Sequence, residues 1–329
     1  MLAPRVPASK GEALKIQTSS RRAMLAAAAM TALTVTLTAC GANSNPLEGS
    51  SDTAASSGAT GSLVVGSANF PESQIVAEIY AGALTAAGFD ATTKPGIGSR
   101  EVYVKAVEEG SVDIIPDYSG NLLLFLDPEA TAASAGEIMD ALPAALPEGL
   151  GVLEAASAES KDAMVVTKAT AEKYQLKSIA DLGPVCDELV LGANPEFAER
   201  EYGLPGLKEN YGCEPKSFEP INDGGGPATL QALINDQIQI ADIYTTTPSI
   251  EDNDLVVLED PKNNFIAQQV LPLVSQDKVS EEAAEVLNDV SAALTTEDLV
   301  DLNRQVSGDE KRNPADAAAD WLSENGLTK

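Results

Sequence analysis

The sequence predicts an α/β protein arranged as two lobes, and three observations predict it. From Leu63 onward, short apolar runs ending at Gly or Pro alternate with stretches of helical periodicity. That alternation occurs twice independently, from Leu63 to the helix opened by Ser134 and again from Met164. The chain has 329 residues, beyond the roughly 250–300 at which single cores stop growing. No Gly/Ser-rich linker divides the two halves, so the chain is expected to cross between lobes more than once.

The elements follow in order. Leu63-Val64-Val65-Gly66 reads as a strand, and Ile75, Val76, Ile79, Tyr80, Ala83 and Leu84 recur at helical spacing before Gly88. Phe89 to Lys94 is a second extended piece, and Ser99 opens a helix through Val102, Tyr103, Ala106 and Val107 to Gly110. Val112 to Pro116 is a further strand, and Ser134 with Glu137 forms a capping box. In the second half, Met164-Val165-Val166 and Leu189-Val190-Leu191 are strands. Asn194-Pro195 reads as an N-cap and first helical residue for Glu196 to Glu201. Ile238, Ile240 and Ile243 mark a strand, as does Leu255 to Leu258. Three closing helices start at Ser280, Thr295 and Asn313-Pro314, the last carrying Trp321 and stopping at Gly326. Strand, helix, strand in this rhythm predicts largely parallel sheets.

The first forty residues read as an address. Arg5, Lys10, Lys15, Arg21 and Arg22 make a basic n-region, and an apolar run with Thr and Met from Ala23 to Ala39 stops at Cys40. The run is shorter than the ~20 residues a helix needs to span a bilayer. Leu37-Thr38-Ala39-Cys40-Gly41 resembles a bacterial lipobox, which implies a signal peptide over 1–39 and lipidation of Cys40. Arg21-Arg22 fits a plain basic n-region as well as the opening of a twin-arginine signal. Residues 40–61 are the lipidated cysteine and a Ser/Gly/Ala/Asn tether with too few apolar side chains to order itself. The expected place is outside the cytoplasm, anchored to the outer face of the cell membrane.

Composition excludes several classes. With 50 acidic and 21 basic residues the net charge is −29, and no basic stripe is present, so nucleic acid is not an expected partner. The complete absence of histidine removes Ser-His-Asp and Cys-His catalysis and histidine metal sites. Asp252-Asn253-Asp254 lacks the glycine of a calcium loop. The expectation is a non-enzyme without cofactor or metal. Cys186 and Cys213, an even pair outside the cytoplasm, are expected to form a disulfide contributing roughly 3 kcal/mol.

Four blocks then carry a resemblance. Gly66-Ser67-Ala68-Asn69-Phe70-Pro71-Glu72 resembles the GS-x-NF-x-E opening of osmoprotectant-binding proteins of ABC importers, whose ligands are glycine betaine, carnitine and choline. Val112 to Gly120 resembles the strand ending in P-E-Y-T-G, and Glu196 to Leu207 the EF-x-x-R-x-x-GLPGL helix. Ile243-Tyr244-Thr245-Thr246 through Leu255 to Asp260 resembles the YTTD…DLVVLEDP stretch. The resemblance implies the type II periplasmic-binding-protein fold, two α/β lobes joined by two crossover segments. Lobe one is placed at 62–160 plus 271–329 and lobe two at 161–270. It also implies a small-molecule ligand in the interlobe cleft, delivery to an ABC importer permease, and a monomer.

For the site, the resemblance implies Tyr118 and Tyr244 as cage walls for a quaternary ammonium, Phe70 closing the cage, and Arg200 as partner of a carboxylate. Ser119, Thr245 and Thr246 would add polar contacts. Read from the residues alone, Tyr118 and Tyr244 equally suit sheet edges, Phe70 the core, and Arg200 a helix-surface ion pair with Glu196, Glu199 or Glu201. The Asp223-Gly224-Gly225-Gly226-Pro227 loop reads as a plain turn or a set of N–H groups for an anion. The chain also departs from the family. Ser160-Lys161-Asp162-Ala163 stands where N-x-T-Y-A is usual, which puts Asp162 near an expected aromatic, and Phe265-Ile266-Ala267-Gln268 replaces FPPY. A reduced cage with added charge attraction from Asp162 is the expectation. A different small polar solute, a sensor-presenting role, or an enzyme on the same bilobal fold remain the alternatives.

Overall fold

The computed structural model describes residues 61–308 and 310–328. The expected signal peptide, Cys40 and all but the last residue of the tether lie outside the described residues. Ten strands occur in chain order: β1 Leu63–Gly66, β2 Ala91–Lys94, β3 Ile114–Tyr118, β4 Leu150–Val152, β5 Met164–Val166, β6 Val190–Ala193, β7 Ser217–Pro220, β8 Ile240–Asp242, β9 Val256–Val257 and β10 Val270–Ser275.

They form two five-stranded sheets, β2-β1-β3-β10-β4 and β7-β6-β8-β5-β9. Each sheet is parallel on one side, where β1 pairs with β2 and β3, and β6 with β7 and β8. Each also contains one reversed strand, β10 between β3 and β4, and β5 between β8 and β9. Those two strands are the first after each passage between lobes, and the alternation of apolar runs carries no mark of their direction. β10 begins at Val270, which pairs with Tyr118, so this residue already belongs to the first sheet.

The first lobe is centred on helix Pro71–Ala86, whose Ile75, Val76, Ile79, Tyr80, Ala83 and Leu84 are all buried. Helices Glu281–Ala293, Thr296–Ser307 and Pro314–Glu324 pack against it, with Trp321, Leu287 and Leu302 in the same cluster. The expected caps of these helices form: the Ser280, Thr295 and Asn313 side chains accept from Ala283, Asp298 and Ala315 N–H groups. Ser134 and Glu137 complete their capping box on helix Ala135–Ala145. The second lobe packs Leu191, Ile240, Leu207 and Phe197 around the Cys186–Cys213 disulfide, whose Cα atoms are 5.2 Å apart.

Two segments join the lobes side by side. Glu159 bridges Gln269, and Ser160 N–H donates to Gln268 O at 3.1 Å. Gln268 is fully buried there and exchanges hydrogen bonds with Asn121, its Oε1 accepting the Asn121 N–H at 3.0 Å and its Nε2 donating to Asn121 Oδ1 at 2.6 Å. Gly120 is required at this junction, since a Cβ would stand 2.4 Å from Ala267 O.

Candidate functional site

Three aromatic rings converge where the lobes meet. Phe70 is the residue before helix Pro71–Ala86, Tyr118 ends β3, and Tyr244 follows β8. The Phe70 ring centroid lies 6.0 Å from that of Tyr118 and 5.3 Å from that of Tyr244, each pair tilted. They line a narrow cleft with a free volume of about 30 Å³, together with Asn69, Ser99, Arg100, Tyr103, Asn121, Ser160, Asp162, Asn194, Glu196 and Arg200. Gly224 lets the second lobe close on Phe70. Its φ is +65°, and a Cβ there would sit 2.7 Å from Phe70 Cβ.

Both tyrosines are held through their hydroxyl groups. Tyr118 Oη donates to Glu72 Oε1 at 2.7 Å, and burial followed by the nearby Glu72 keeps this phenol protonated, its pKa well above the ordinary tyrosine value. Glu72 is 4% exposed and also accepts from Asn303 Nδ2 at 2.6 Å and from the Thr246 hydroxyl of the other lobe. Thr246 Oγ1 shares a further 2.9 Å bond with Ser160 Oγ. Tyr244 Oη accepts from Asn194 Nδ2 at 3.5 Å. Asn194 does not cap the following segment, which is a 3-10 turn over Pro195–Ala198 rather than the expected helix. Its Oδ1 instead accepts the Gly224 N–H at 3.0 Å, tying the glycine loop to the cleft wall.

Most N–H groups of the glycine loop are taken within the protein. Asp223 turns back over helix Pro227–Ile234 and accepts from the N–H groups of Gly226, Ala228 and Thr229 and from the Thr229 hydroxyl. The plain-turn reading describes it.

The charged residues lining the cleft are Arg100, Arg200, Asp162 and Glu196. Arg100 is 5% exposed and committed to Asp117, with Nη2 2.7 Å and Nε 3.2 Å from Oδ1; Tyr103 Oη donates to the same oxygen at 2.8 Å. Arg200 lines the cleft, but its Nη2 reaches Glu101 Oε1 of the first lobe at 3.1 Å and Glu196 Oε1 at 3.7 Å. Its Nη1 donates to Tyr202 Oη at 2.8 Å. Burial opposes the Arg200 charge, yet Tyr202, Glu101 and Glu196 together hold its pKa above the ordinary arginine value. The helix-surface ion pair and the cleft position of Arg200 thus hold together. Among the described residues Asp162 forms no salt bridge; it accepts from Asn121 Nδ2 at 2.7 Å. Both guanidinium groups are thus already engaged, Arg100 by Asp117 and Arg200 by Glu101 and Glu196, which leaves the Asp162 carboxyl group available to a cationic guest.

Of the residues expected at the site, Phe70, Tyr118, Asp162, Arg200 and Tyr244 line this cleft. Ser119 is buried in the crossover, where its Oγ accepts the Gln269 N–H at 3.1 Å. Thr245 is exposed, with Oγ1 3.0 Å from the Lys161 N–H it accepts. Thr246 sits behind the rings on Glu72. Sequence reasoning missed Asn69, Ser99, Arg100, Tyr103, Asn121, Asn194 and Glu72 as parts of this region. The partnered Asp117 and Glu72 lay inside the quoted motifs, and an acid in an apolar strand such as β3 is the signal that could have found Arg100.

Further contacts tie the lobes around the rings. Asn69 Nδ2 donates to Asn222 Oδ1 at 2.9 Å, and Arg304 Nη1 lies 2.7 Å from Asp252 Oδ1. The cleft is thus bordered by lobe-to-lobe contacts at Arg200–Glu101 and at Arg304–Asp252.

Comparison with known proteins gives a consistent result. A glycine-betaine-binding protein of Pseudomonas aeruginosa is 28% identical over 279 residues, covering 80% of this chain and 88% of the relative. A glycine betaine-binding protein of Escherichia coli is 28% identical over 278 residues, covering 80% and 91%. A solved glycine betaine/carnitine/choline ABC transporter structure superposes with a TM-score of 0.64 at 23% identity, covering 81% of this chain and all of that one, which shows the shared fold. The family profile described as the substrate binding domain of ABC-type glycine betaine transport systems matches residues 61–324. With two α/β lobes and the cleft between them, the chain belongs to that family of ABC-importer substrate-binding domains.

Proposed function

We propose that this protein captures a small quaternary ammonium solute, of the glycine betaine, choline or carnitine kind, and delivers it to an ABC importer permease. The carrying observation is the convergence of Phe70, Tyr118 and Tyr244 beside the uncompensated Asp162. A trimethylammonium group donates no hydrogen bonds, so aromatic faces and a nearby negative charge are what can hold it. Arg200 serves a ligand carboxylate when one is present, in competition with Glu101 and Glu196. Ser119, Thr245 and Thr246 support the hinge and the rings and make no ligand contact in this reading. The protein acts as a monomer, performs no chemistry on its ligand, and works outside the cytoplasm, anchored through lipidated Cys40.

Calorimetric titration with glycine betaine, proline betaine, carnitine and choline tests the ligand class. Saturable binding of at least one is expected, and binding of none of the four overturns the assignment. Release of a Cys40→Ala variant into the medium tests the anchor; retention on the membrane overturns it.

A further inference from the structure

The ladder between β5 and β8 continues past its regular ends. Met164 pairs with Asp242, the Ile243 N–H donates to Ala163 O at 3.1 Å, and the Thr245 N–H donates to Lys161 O at 2.9 Å. This register sets Asp162 opposite Tyr244 and one diagonal step from Asp242, all on one face. Asp162 is 6% exposed and lines the cleft; Asp242 is 4% exposed and lies one step deeper. Buried on the same face at this diagonal, the two carboxyl groups stand in each other's field. Among the described residues, Asp242 Oδ1 has no hydrogen-bond partner.

The groups facing this pair are few. Asn121 Nδ2 donates to Asp162 Oδ2. The Ala163 N–H and the Arg200 charge favour ionised Asp242, while Tyr202 and Tyr244 stand in the field of Asp162. Arg100 is taken up by Asp117. Burial first and Asp162 second outweigh the favourable groups and raise the Asp242 pKa well above the ordinary carboxylate value. Two buried carboxyl groups side by side titrate as a unit, and one proton between them supplies the donor that Asp242 Oδ1 lacks.

We propose that Asp162 and Asp242 share one proton in the cleft wall, and that the ligand cation is taken up in exchange for it. The inference rests on the reading of the cleft as a site for a cationic solute. With a positive charge seated beside Asp162, the O–H bond that holds the proton breaks, and the proton passes to the buffer. An uncharged molecule of the same shape leaves the proton in place. Binding therefore tightens as pH rises through the range in which the free pair holds its proton.

Two measurements on the full-length protein test this. Without ligand, the infrared difference spectrum between wild type and Asp242→Asn at neutral pH is expected to show a protonated-carboxyl stretching band present only in the wild type. Its absence overturns the shared proton whether or not any ligand binds. Calorimetry with choline and glycine betaine is then run in phosphate and in Tris, whose ionisation heats differ. Up to about one proton released per bound ligand is expected, with the dissociation constant tightening up to about tenfold per pH unit. Asp242→Asn is expected to release none, and Asp162→Asn less than the wild type. Binding without proton release in the wild type, or equal release in the variants, overturns the exchange. If the infrared band is present and neither ligand binds, the ligand class fails and the exchange with it, while the shared proton stands.

Discussion

Substitution of Tyr118 separates two contributions that this residue combines. Its ring is one wall of the aromatic cluster, 6.0 Å from Phe70, while its hydroxyl donates to the buried Glu72 at 2.7 Å. Tyr118→Phe keeps the ring face and removes one of three donors to Glu72, leaving Asn303 and Thr246. A lost hydrogen bond to a buried carboxyl group costs about 1–3 kcal/mol of stability. The ligand should feel little of this, with a dissociation constant within about threefold of wild type, or ~0.7 kcal/mol. Tyr118→Ala also removes the face. A desolvated cation–π contact is worth about 2 kcal/mol, so binding of choline or glycine betaine should weaken about thirtyfold or more. Titration calorimetry reads the affinities and denaturant unfolding reads the stabilities. The reasoning is refuted if Tyr118→Phe weakens binding as much as Tyr118→Ala, because the hydroxyl and not the ring would then carry the interaction.

Asp242→Asn should stabilise the protein at neutral pH. Its folded pKa is raised, so the group's favourable contribution is present below the ordinary aspartate pKa of about 3.9 and is lost as pH rises through the folded value. The gain in unfolding free energy over wild type should shrink as pH falls toward that ordinary value; a gain constant across the range contradicts the assignment. Glu101→Gln removes an interlobe partner of Arg200 that is 44% exposed, so the pair is worth at most about 1 kcal/mol. Titration should show glycine betaine and carnitine binding up to about fivefold tighter relative to choline. Replacing both Cys186 and Cys213 with alanine should lower stability in denaturant by roughly 3 kcal/mol and leave choline affinity unchanged, since the disulfide sits in the second lobe's core.

The elements most legible in the sequence are those whose cause is local. Ser134, Ser280, Thr295 and Asn313 cap the helices they precede, because the bonded N–H lies two or three residues ahead. Asn194 shows where that logic ends. It has a cap residue's chemistry and a proline after it, yet its side chain is claimed by the Gly224 N–H, 30 residues on. The directions of β5 and β10 were equally hidden, because they follow from where the chain crosses between lobes. In the cleft, Tyr118, Tyr244 and Phe70 were legible only through the resemblance, because the residues alone suited sheet edges and core equally well. Asp242 was not legible, because the strand Ile240 to Ile243 was read through its isoleucines, although Asp242 shares the Tyr244 face. Arg100 and Asp117 looked like a helix start and a motif variant until folding placed them 2.7 Å apart.

The most direct test of the account compares choline with its carbon isostere, in which a tert-butyl group replaces the trimethylammonium. Shape and apolar surface are nearly the same, and only the positive charge differs. If Phe70, Tyr118, Tyr244 and Asp162 recognise a cation, calorimetric titration should show choline binding at least about tenfold more tightly than the isostere. Equal affinities would contradict the account and make the cleft an apolar pocket indifferent to charge.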